Sequence, residues 1–304
     1  MIDNALEALT RAGVDFAFRK GPRNDAELPR GGEVDLEMSA SDLRQAEQTL
    51  AGVGFFPLRA RGHFNHRFFL AFDNGRWIKI DVKTKGKPRG IGSESGPGRV
   101  FRGVARRIPL SLQRSGPVIA LLGPDGAGKG SVGAALQERV PIATAILYFG
   151  SGGPGRTTGP DAADPALPHP AREALWHLLR VLRHWRRLTA AYLKAWRGVI
   201  VICDRHPIEV VAIRPPRRLP KLERFLFRKL IPKPDLVIVL DAPGEALFAR
   251  KREHSADVLE RMRDAYRREF GETGVIVSAA GPLDETVAEV SEHVWRQLKR
   301  RRGW

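Results

Sequence analysis

A short apolar segment, VIALL at 118–122, passes directly into the glycine-rich run GPDGAGKGS at 123–131. A helical pattern, SVGAALQERV, follows from Ser131. The spacing G-x-x-x-x-G-K allows glycines to take positive φ angles, so that backbone N–H groups point at a phosphate chain in front of a helix N-terminus. The order strand, loop, helix therefore predicts a phosphate-binding loop in which Lys129 reaches the β- and γ-phosphates. The alternative is an ordinary glycine-rich turn.

The second part of the chain contains more apolar segments of the same kind. Four of them follow the first strand, at 142–149, 199–204, 235–241 and 274–278. Continuous β-branched runs that alternate with helical patterns are typical of a parallel sheet covered on both faces. The sequence predicts an α/β fold here, a doubly wound parallel sheet.

The first part of the chain reads as a small α+β domain. We predict helices at 4–11 and 41–53, and strands at 14–19, 33–38, 56–61, 67–72 and 77–82. The DNG turn at 73–75 favours a hairpin between the last two strands. Between Lys83 and Ser115 the apolar periodicity fades and Gly, Pro, Lys and Arg crowd together. The predicted division is therefore a domain at 1–85, a linker at 86–115 and a second domain at 116–304.

Composition limits the class of protein and its partners. A hydrophobic fraction of 42% with 28% charged residues is ordinary for a globular chain, and the net charge of +17 attracts phosphates, nucleic acid or anionic headgroups. Cys203 is the single cysteine, so no internal disulfide can form, and a reducing compartment fits. We find no signal-peptide pattern and expect a cytoplasmic protein.

Four motifs of the second domain occur in a fixed order. They are the loop GPDGAGK with Asp125 ahead of its glycines, VICDRH at 201–206, PKPDLVIVLDAPGEAL at 232–247 and ARKREHSADVLERMRDAYRREF at 249–270. Together they resemble the motifs of the thymidylate kinase family over about 116–300. The resemblance implies a P-loop kinase that uses ATP and Mg²⁺ to phosphorylate a small-molecule acceptor.

The resemblance also implies roles for individual residues. The implied ATP-binding residues are Gly123, Gly126, Ala127, Gly128, Lys129, Gly130 and Ser131. Asp125 would face a hydroxyl of the acceptor, Asp204 would orient the Mg²⁺ shell, and Arg205 would bridge donor and acceptor phosphates. Gly130 stands where Ser or Thr usually binds Mg²⁺ directly, and this GKGS form is similar to the adenylate kinase loop. We therefore expect Ser131 to act on Mg²⁺ mostly through water.

Other positions have competing interpretations. Arg250, Lys251 and Arg252 are candidates for a lid over the phosphates, or for a solvated basic helix end. Asp204 and Arg205 are alternatively an ion pair that ends a strand. We expect Asp241 to cap the following helix rather than to bind metal.

The acceptor region departs from the family pattern. Thymidylate kinases carry an REPGG-like element after the second strand, where this chain has YFGSGGPGRTTGP at 148–160. The acceptor is therefore a nucleotide, a sugar or another biosynthetic metabolite. The helix at 175–196 has apolar residues at helical spacing with arginines between them, which predicts core packing plus a solvated face, acceptor binding or contact with an anionic membrane.

The first domain has its own candidate site. The segment at 32–55 resembles the minimal nucleotidyltransferase fold, in which a strand presents D-x-[DE] before a helix. Asp35 and Glu37 share one strand face, and Asp81 ends another apolar run. The resemblance implies that these carboxylates hold Mg²⁺ for nucleotidyl transfer, and the alternative is a module that only binds a substrate or partner.

Two functions follow from these observations. The first is an ATP-dependent phosphotransferase with a small-molecule acceptor and no specific nucleic acid partner. The assemblies expected for this enzyme include a homodimer. The second is a basic P-loop ATPase that associates with nucleic acid or a membrane through a non-catalytic N-terminal module.

Overall fold

The computed structural model describes residues 1–21, 23–24, 26, 32–59, 62–63, 65–85, 109–113, 115–150, 170–213 and 220–301. These residues form two compact units. Unit 1 contains residues 1–115 with 138–143 and 197–199, and unit 2 contains the rest of the chain.

The described residues of unit 1 form a mixed six-stranded sheet and two helices. Its elements are α1 (Ile2–Arg11), β1 (Phe16–Lys20), β2 (Gly32–Ser39), α2 (Leu43–Gly52), β3 (Phe56–Arg59), β4 (His66–Asp73), β5 (Arg76–Lys85) and β6 (Ser111–Leu112). The strand order is β1-β2-β5-β4-β3-β6, and β2 pairs with β5 in parallel. The predicted hairpin turn is present, because Asn74 and Gly75 take the positive φ angles of 48° and 76° that a two-residue turn requires.

Strand β6 lies inside the segment predicted as a linker. Leu112 is buried, and it pairs with Leu58 of β3 in antiparallel register. An isolated SL pair in a stretch rich in Arg and Pro carries no strand signal of its own, so only its pairing with β3 makes it a strand. Residues 86–108 lie outside the described part of the chain.

Unit 2 is the predicted α/β fold with a parallel sheet. Its elements are β7 (Val118–Leu122), α3 (Lys129–Arg139), β8 (Thr144–Tyr148), α4 (Pro170–Trp196), β9 (Ile200–Asp204), a 3₁₀ helix (Pro207–Val211), α5 (Pro220–Leu230), β10 (Leu236–Asp241), α6 (Gly244–Arg250), α7 (Ala256–Phe270), β11 (Val275–Ser278) and α8 (Leu283–Arg301). The strand order is β11-β10-β7-β9-β8, and each pair is parallel.

The order of the strands brings the sequence motifs together. All five residues of β7 are buried, as expected for a central strand covered on both faces. Its neighbours are β9, which ends at Asp204, and β10, which ends at Asp241. Carboxyl ends of neighbouring parallel strands meet at one edge, where open α/β sheets bind ligands.

Helix α4 packs through a different face from the one its leucines indicate. Its buried residues are His177, Val181, His184, Leu188, Ala191 and Ala195. The exposed ones are Leu175, Leu178, Leu179, Leu182, Trp185, Leu193 and Trp196. The prediction that the leucine and tryptophan positions form core is therefore wrong for most of them, because a different face of the helix, which carries two histidines and two alanines, is the buried one. Within the described residues, no helix has the length and apolar character needed to cross a membrane.

Candidate functional site

The glycine-rich loop after β7 has the backbone shape that a phosphate cradle needs. Gly123, Gly126 and Gly128 have φ angles of 137°, 86° and 83°. A Cβ atom on Gly123 would lie 2.5 Å from the Leu240 carbonyl oxygen, and one on Gly126 would lie 2.8 Å from that of Leu247. Both positions therefore require glycine for backbone conformation and for close approach. Helix α3 begins at Lys129, directly behind the loop.

Lys129 is buried within the same loop. Its Nζ donates hydrogen bonds to the carbonyl oxygens of Gly123 at 2.7 Å and Pro124 at 2.8 Å. Burial lowers the pKa of this ammonium, and the nearby charge of Arg205 lowers it further. A dehydrated ammonium with only carbonyl partners gains a strong interaction when a phosphate anion arrives. The loop and Lys129 therefore fit the phosphates of a nucleotide.

An open cleft of about 630 Å³ surrounds this loop. The residues that line it are Asp125, Gly126, Ala127, Gly128, Lys129, Gly130, Ser131, Val132, Tyr148, Asp204, Arg205, Arg250, Lys251, Ala279, Gly281 and Leu283. The cleft thus brings together the sequence-predicted residues of three separate motifs. It also includes Tyr148 and the segment after β11, which the sequence did not mark.

A charged cluster lies beside the loop. The Arg205 guanidinium contacts the Asp125 carboxylate, and its Nη1 lies 3.4 Å from Oε1 of Glu209. Arg205 has a φ of 61°, a left-handed conformation that is uncommon outside glycine and is found where function holds it in place. The carboxylates of Asp125 and Glu209 raise the pKa of Arg205 against the effect of burial, so the arginine stays charged.

Sequence reasoning missed three members of this cluster. Glu209 lies in the 3₁₀ helix that follows Arg205, and burial raises the pKa of its carboxyl. The Tyr266 ring is fully buried in α7, and His254 places Nε2 4.0 Å from Asp125 Oδ2. The sequence carries no signal for either contact, because Arg205 lies outside the short helix that holds Glu209 and only the folded chain brings His254 to Asp125.

Asp204 ends β9 at the edge of the cleft. It lies opposite Leu121 of β7 in the parallel register, and its Oδ1 is buried without a hydrogen-bond partner among the described residues. Burial raises the pKa of its carboxyl, while Lys129 and Arg205 act in the opposite direction. A buried carboxylate oxygen with an unused lone pair beside a phosphate cradle fits the hydrated Mg²⁺ that accompanies ATP.

The three lid candidates occupy different surroundings. Arg250 and Lys251 line the cleft, and Arg250 donates hydrogen bonds to the carbonyl oxygens of Ala279 at 2.7 Å and Ala280 at 3.2 Å. Arg252 is not among the lining residues, and its guanidinium lies over the ring of Phe248 at 6.0 Å. The structure therefore supports a cleft position for Arg250 and Lys251 and gives none to Arg252.

Asp241 does not cap the following helix as expected from the sequence. Its two carboxylate oxygens accept hydrogen bonds from Arg263 and Arg267 at 2.7–3.1 Å. The N-terminus of α6 is instead satisfied by Glu260, whose Oε2 accepts from the Gly244 amide at 2.6 Å. Asp241 therefore pairs with two arginines of α7 and does not cap α6.

The acidic residues of unit 1 assemble differently from the prediction. Asp35 and Asp81 face each other on the parallel strands β2 and β5, and Glu33 joins them within 4.8 Å. Glu37 is absent from this group and lies 3.8 Å from Lys83. Two of the three clustered acids have partners, since Lys79 lies 2.8 Å from Glu33 and His66 lies 2.7 Å from Asp81.

Comparisons with known proteins agree with the site. Residues 122–290, more than half of the chain, match the family model of thymidylate kinase. A probable thymidylate kinase of Pyrobaculum aerophilum is 26% identical over 189 residues, which cover 60% of this chain and 97% of the relative. One from Archaeoglobus fulgidus is 33% identical over 101 residues, covering 31% of this chain and 52% of the relative.

A solved thymidylate kinase from Candida albicans aligns with 61% of this chain and 94% of its own, at 18% identity and a TM-score of 0.46. The family match begins at Leu122 and leaves residues 1–121 outside it. The cradle, Lys129, Asp204 and Arg205 all fall inside the matched range. The chain belongs to the thymidylate kinase family and is a P-loop kinase, an ATP-dependent phosphotransferase.

Proposed function

We propose that the cleft of unit 2 binds ATP along the glycine-rich loop and transfers its γ-phosphoryl group to a small acceptor beside Asp125. The observation that carries this proposal is that Lys129 and Arg205 line the same open cleft. Lys129 would bind the β- and γ-phosphates of ATP, and Arg205 would lie between the donor and acceptor phosphates. The space near Ala279, Gly281 and Leu283 is left for the adenine base.

The reaction requires little covalent chemistry from the protein. An oxygen of the acceptor attacks the γ-phosphorus, the bond to the β–γ bridging oxygen breaks, and ADP leaves. Charge spreads over the transferred group in the transition state, so positioned cations supply most of the catalysis. Lys129 and Arg205 provide these cations, while Arg250 and Lys251 exclude water from the phosphates.

Magnesium fits this site through Asp204. Bound Mg²⁺ neutralises phosphate oxygens during transfer. The unused Asp204 oxygen would accept hydrogen bonds from water bound to the ion, and Ser131 of α3, which is exposed and lines the cleft, would do the same through its hydroxyl. Asp125 holds Arg205 and presents its second oxygen to an acceptor hydroxyl.

The acceptor that the relatives support is dTMP, since both carry the name thymidylate kinase. Its 5′-phosphate oxygen would be the attacking atom, and Asp125 would accept a hydrogen bond from the 3′-hydroxyl of its deoxyribose. A sugar or another metabolite remains the second class to test. Most of the divergent segment at 148–160 lies outside the described residues.

The experiment measures ADP release from ATP with dTMP, other nucleoside monophosphates, sugars and sugar phosphates as acceptors, together with product mass. We expect one acceptor to raise ADP release well above the basal rate. Lys129→Ala should abolish turnover, and Asp125→Ala should mainly weaken acceptor use. Lys299→Ala, which removes an exposed lysine of α8, is the matched control. Normal turnover by the Lys129 variant would contradict the proposal.

The contrasting function is an ATPase that acts on nucleic acid or a membrane without a small acceptor. Hydrolysis that no acceptor stimulates, together with salt-sensitive binding of DNA or RNA, would favour it. A second activity in unit 1 rests on the cluster of Glu33, Asp35 and Asp81. Pyrophosphate release from a nucleoside triphosphate, lost in Asp35→Asn, would support it.

A further inference from the structure

The two oxygens of the Asp125 carboxylate have different surroundings. Oδ1 contacts the Arg205 guanidinium, whereas no described residue donates a hydrogen bond to Oδ2. The imidazole of His254 lies near this second oxygen, with its Nε2 4.0 Å away. That distance is too long for a direct hydrogen bond, and it leaves room for one bridging oxygen atom.

His254 is mostly buried and lacks a hydrogen-bond partner of its own. Its side chain is 10% exposed, and that of Asp125 is 6% exposed. Within the described part of the chain, the Asp125 carboxylate is the polar group that the imidazole approaches. A polar group that has lost most of its water gains from any ligand that restores a hydrogen bond. The space between the two side chains is therefore a candidate binding position.

Helix α7 holds His254 in place. The helix begins two residues after His254, and its Arg263 and Arg267 bind Asp241 at the end of β10. The glycine-rich loop that carries Asp125 packs against the same strand. Both sides of the gap are thus tied to one strand of the sheet, so the separation of the imidazole and the carboxylate is set by the fold.

The two atoms that border the gap have opposite hydrogen-bonding character. An ionised carboxylate oxygen only accepts, whereas an imidazole with its hydrogen on Nε2 donates. A hydroxyl group serves both at once, because it donates one hydrogen bond and accepts others. An oxygen about 2.8 Å from both Asp125 Oδ2 and His254 Nε2 fits the gap of 4.0 Å. The pair therefore matches a hydroxyl.

We propose that His254 is a specificity-determining residue of the acceptor site and holds a hydroxyl of the acceptor against Asp125. The inference rests on the proposed function, in which the acceptor binds beside Asp125, and it adds a second contact to the same hydroxyl. In dTMP this group is the 3′-hydroxyl, which donates to Asp125 Oδ2 and accepts from His254 Nε2. An acceptor without the hydroxyl leaves two mostly buried groups unpaired, so the site discriminates against it more strongly than a carboxylate alone would.

The test uses the full chain with saturating ATP and compares dTMP with 3′-deoxythymidine monophosphate, which lacks this hydroxyl. The measured quantity is kcat/KM for each acceptor. His254→Ala should lose about fivefold with dTMP, the effect of one hydrogen bond, and less than about twofold with the deoxy analogue. His254→Gln keeps a side-chain N–H donor, so it should recover part of the loss with dTMP. His293→Ala is the matched control on α8, away from the cleft lining, and should leave both values unchanged.

An equal loss with both acceptors would overturn the proposal, because His254 would then support the local fold and not bind the hydroxyl. An unchanged kcat/KM for dTMP in the alanine variant would overturn it as well. Both results leave the phosphotransferase intact, since wild-type turnover of dTMP is measured in the same experiment. Absence of that wild-type turnover would instead remove dTMP as the acceptor, and with it the contact of His254 to the 3′-hydroxyl.

Discussion

Replacing Gly123 by alanine tests whether the loop must lie against β10. The new Cβ would lie 2.5 Å from the Leu240 carbonyl oxygen, which belongs to the backbone of a buried strand and cannot swing away as a side chain can. In addition, alanine would have to adopt a φ of 137°, which is outside its allowed regions.

Two costs add at this position. Backbone strain of this kind amounts to roughly 1–3 kcal/mol, and overpacking against a rigid neighbour to roughly 1–3 kcal/mol more. A total of about 4 kcal/mol lowers the Tm by roughly 10 °C in a domain of this size. The loop would also move relative to the Lys129 ammonium, so the affinity for ATP should fall together with the free energy of unfolding.

Two other glycines of the site act as controls. Gly130 has no atom within 4 Å of its virtual Cβ and no positive φ, so Gly130→Ala should leave the Tm unchanged or raise it slightly. Gly128 is equally open but has a φ of 83°, so its alanine variant should lose about 1 kcal/mol from strain alone. The measurement is thermal unfolding by circular dichroism, with and without ATP. Equal Tm values for the alanine variants at 123 and 130 would refute this reasoning.

Three further predictions follow from the charges of unit 2. Glu209→Gln should lower kcat by about tenfold with little change in KM for ATP, because Arg205 loses a partner that positions it; a fall in Tm alone would contradict this. Asp204→Asn should raise the Mg²⁺ concentration for half-maximal rate by about tenfold, and an unchanged Mg²⁺ titration would argue against its role. Although burial opposes it, hydrogen bonds from Arg263 and Arg267 hold the pKa of Asp241 below its usual value. Ionised Asp241 therefore stabilises the fold above its unfolded pKa of about 4, and this contribution is lost as the pH falls further. Asp241→Asn should cost about 3 kcal/mol at neutral pH, and urea titrations should show that the difference shrinks in acid.

The sequence alone predicted most of unit 2, for a physical reason. The strands at 118–122 and 235–241 are continuous apolar runs, and a parallel sheet with buried faces is one of few structures that accept them. The spacing around Lys129 predicted the loop, and the strand end at Asp204 and Arg205 predicted a second part of the cleft lining. These features are local in the chain, so periodicity and motif spacing report them directly.

The missed features depend on contacts between distant segments. Asp241 looked like a cap because it precedes a helix, yet Arg263 and Arg267 reach it from a helix that begins fifteen residues later. Helix α4 was assigned to the core through its leucines, whereas His177 and His184 occupy the buried face. A hydrophobic pattern identifies an apolar side of a helix, and it does not reveal whether that side meets the protein or something else.

The close approach of Gly123 to Leu240 also determines which parts of the enzyme are free to move. Because the glycine-rich loop packs against a strand in the interior of the sheet, this ATP-binding loop moves only together with the sheet. Closure around two substrates must then come from the other wall, where Arg250 is tied to the carbonyl oxygens of Ala279 and Ala280 by bonds that can break without disturbing any strand. We therefore expect opening and closing to occur at the segment of Arg250 and Lys251, while the anchored loop keeps the position of ATP constant from one turnover to the next.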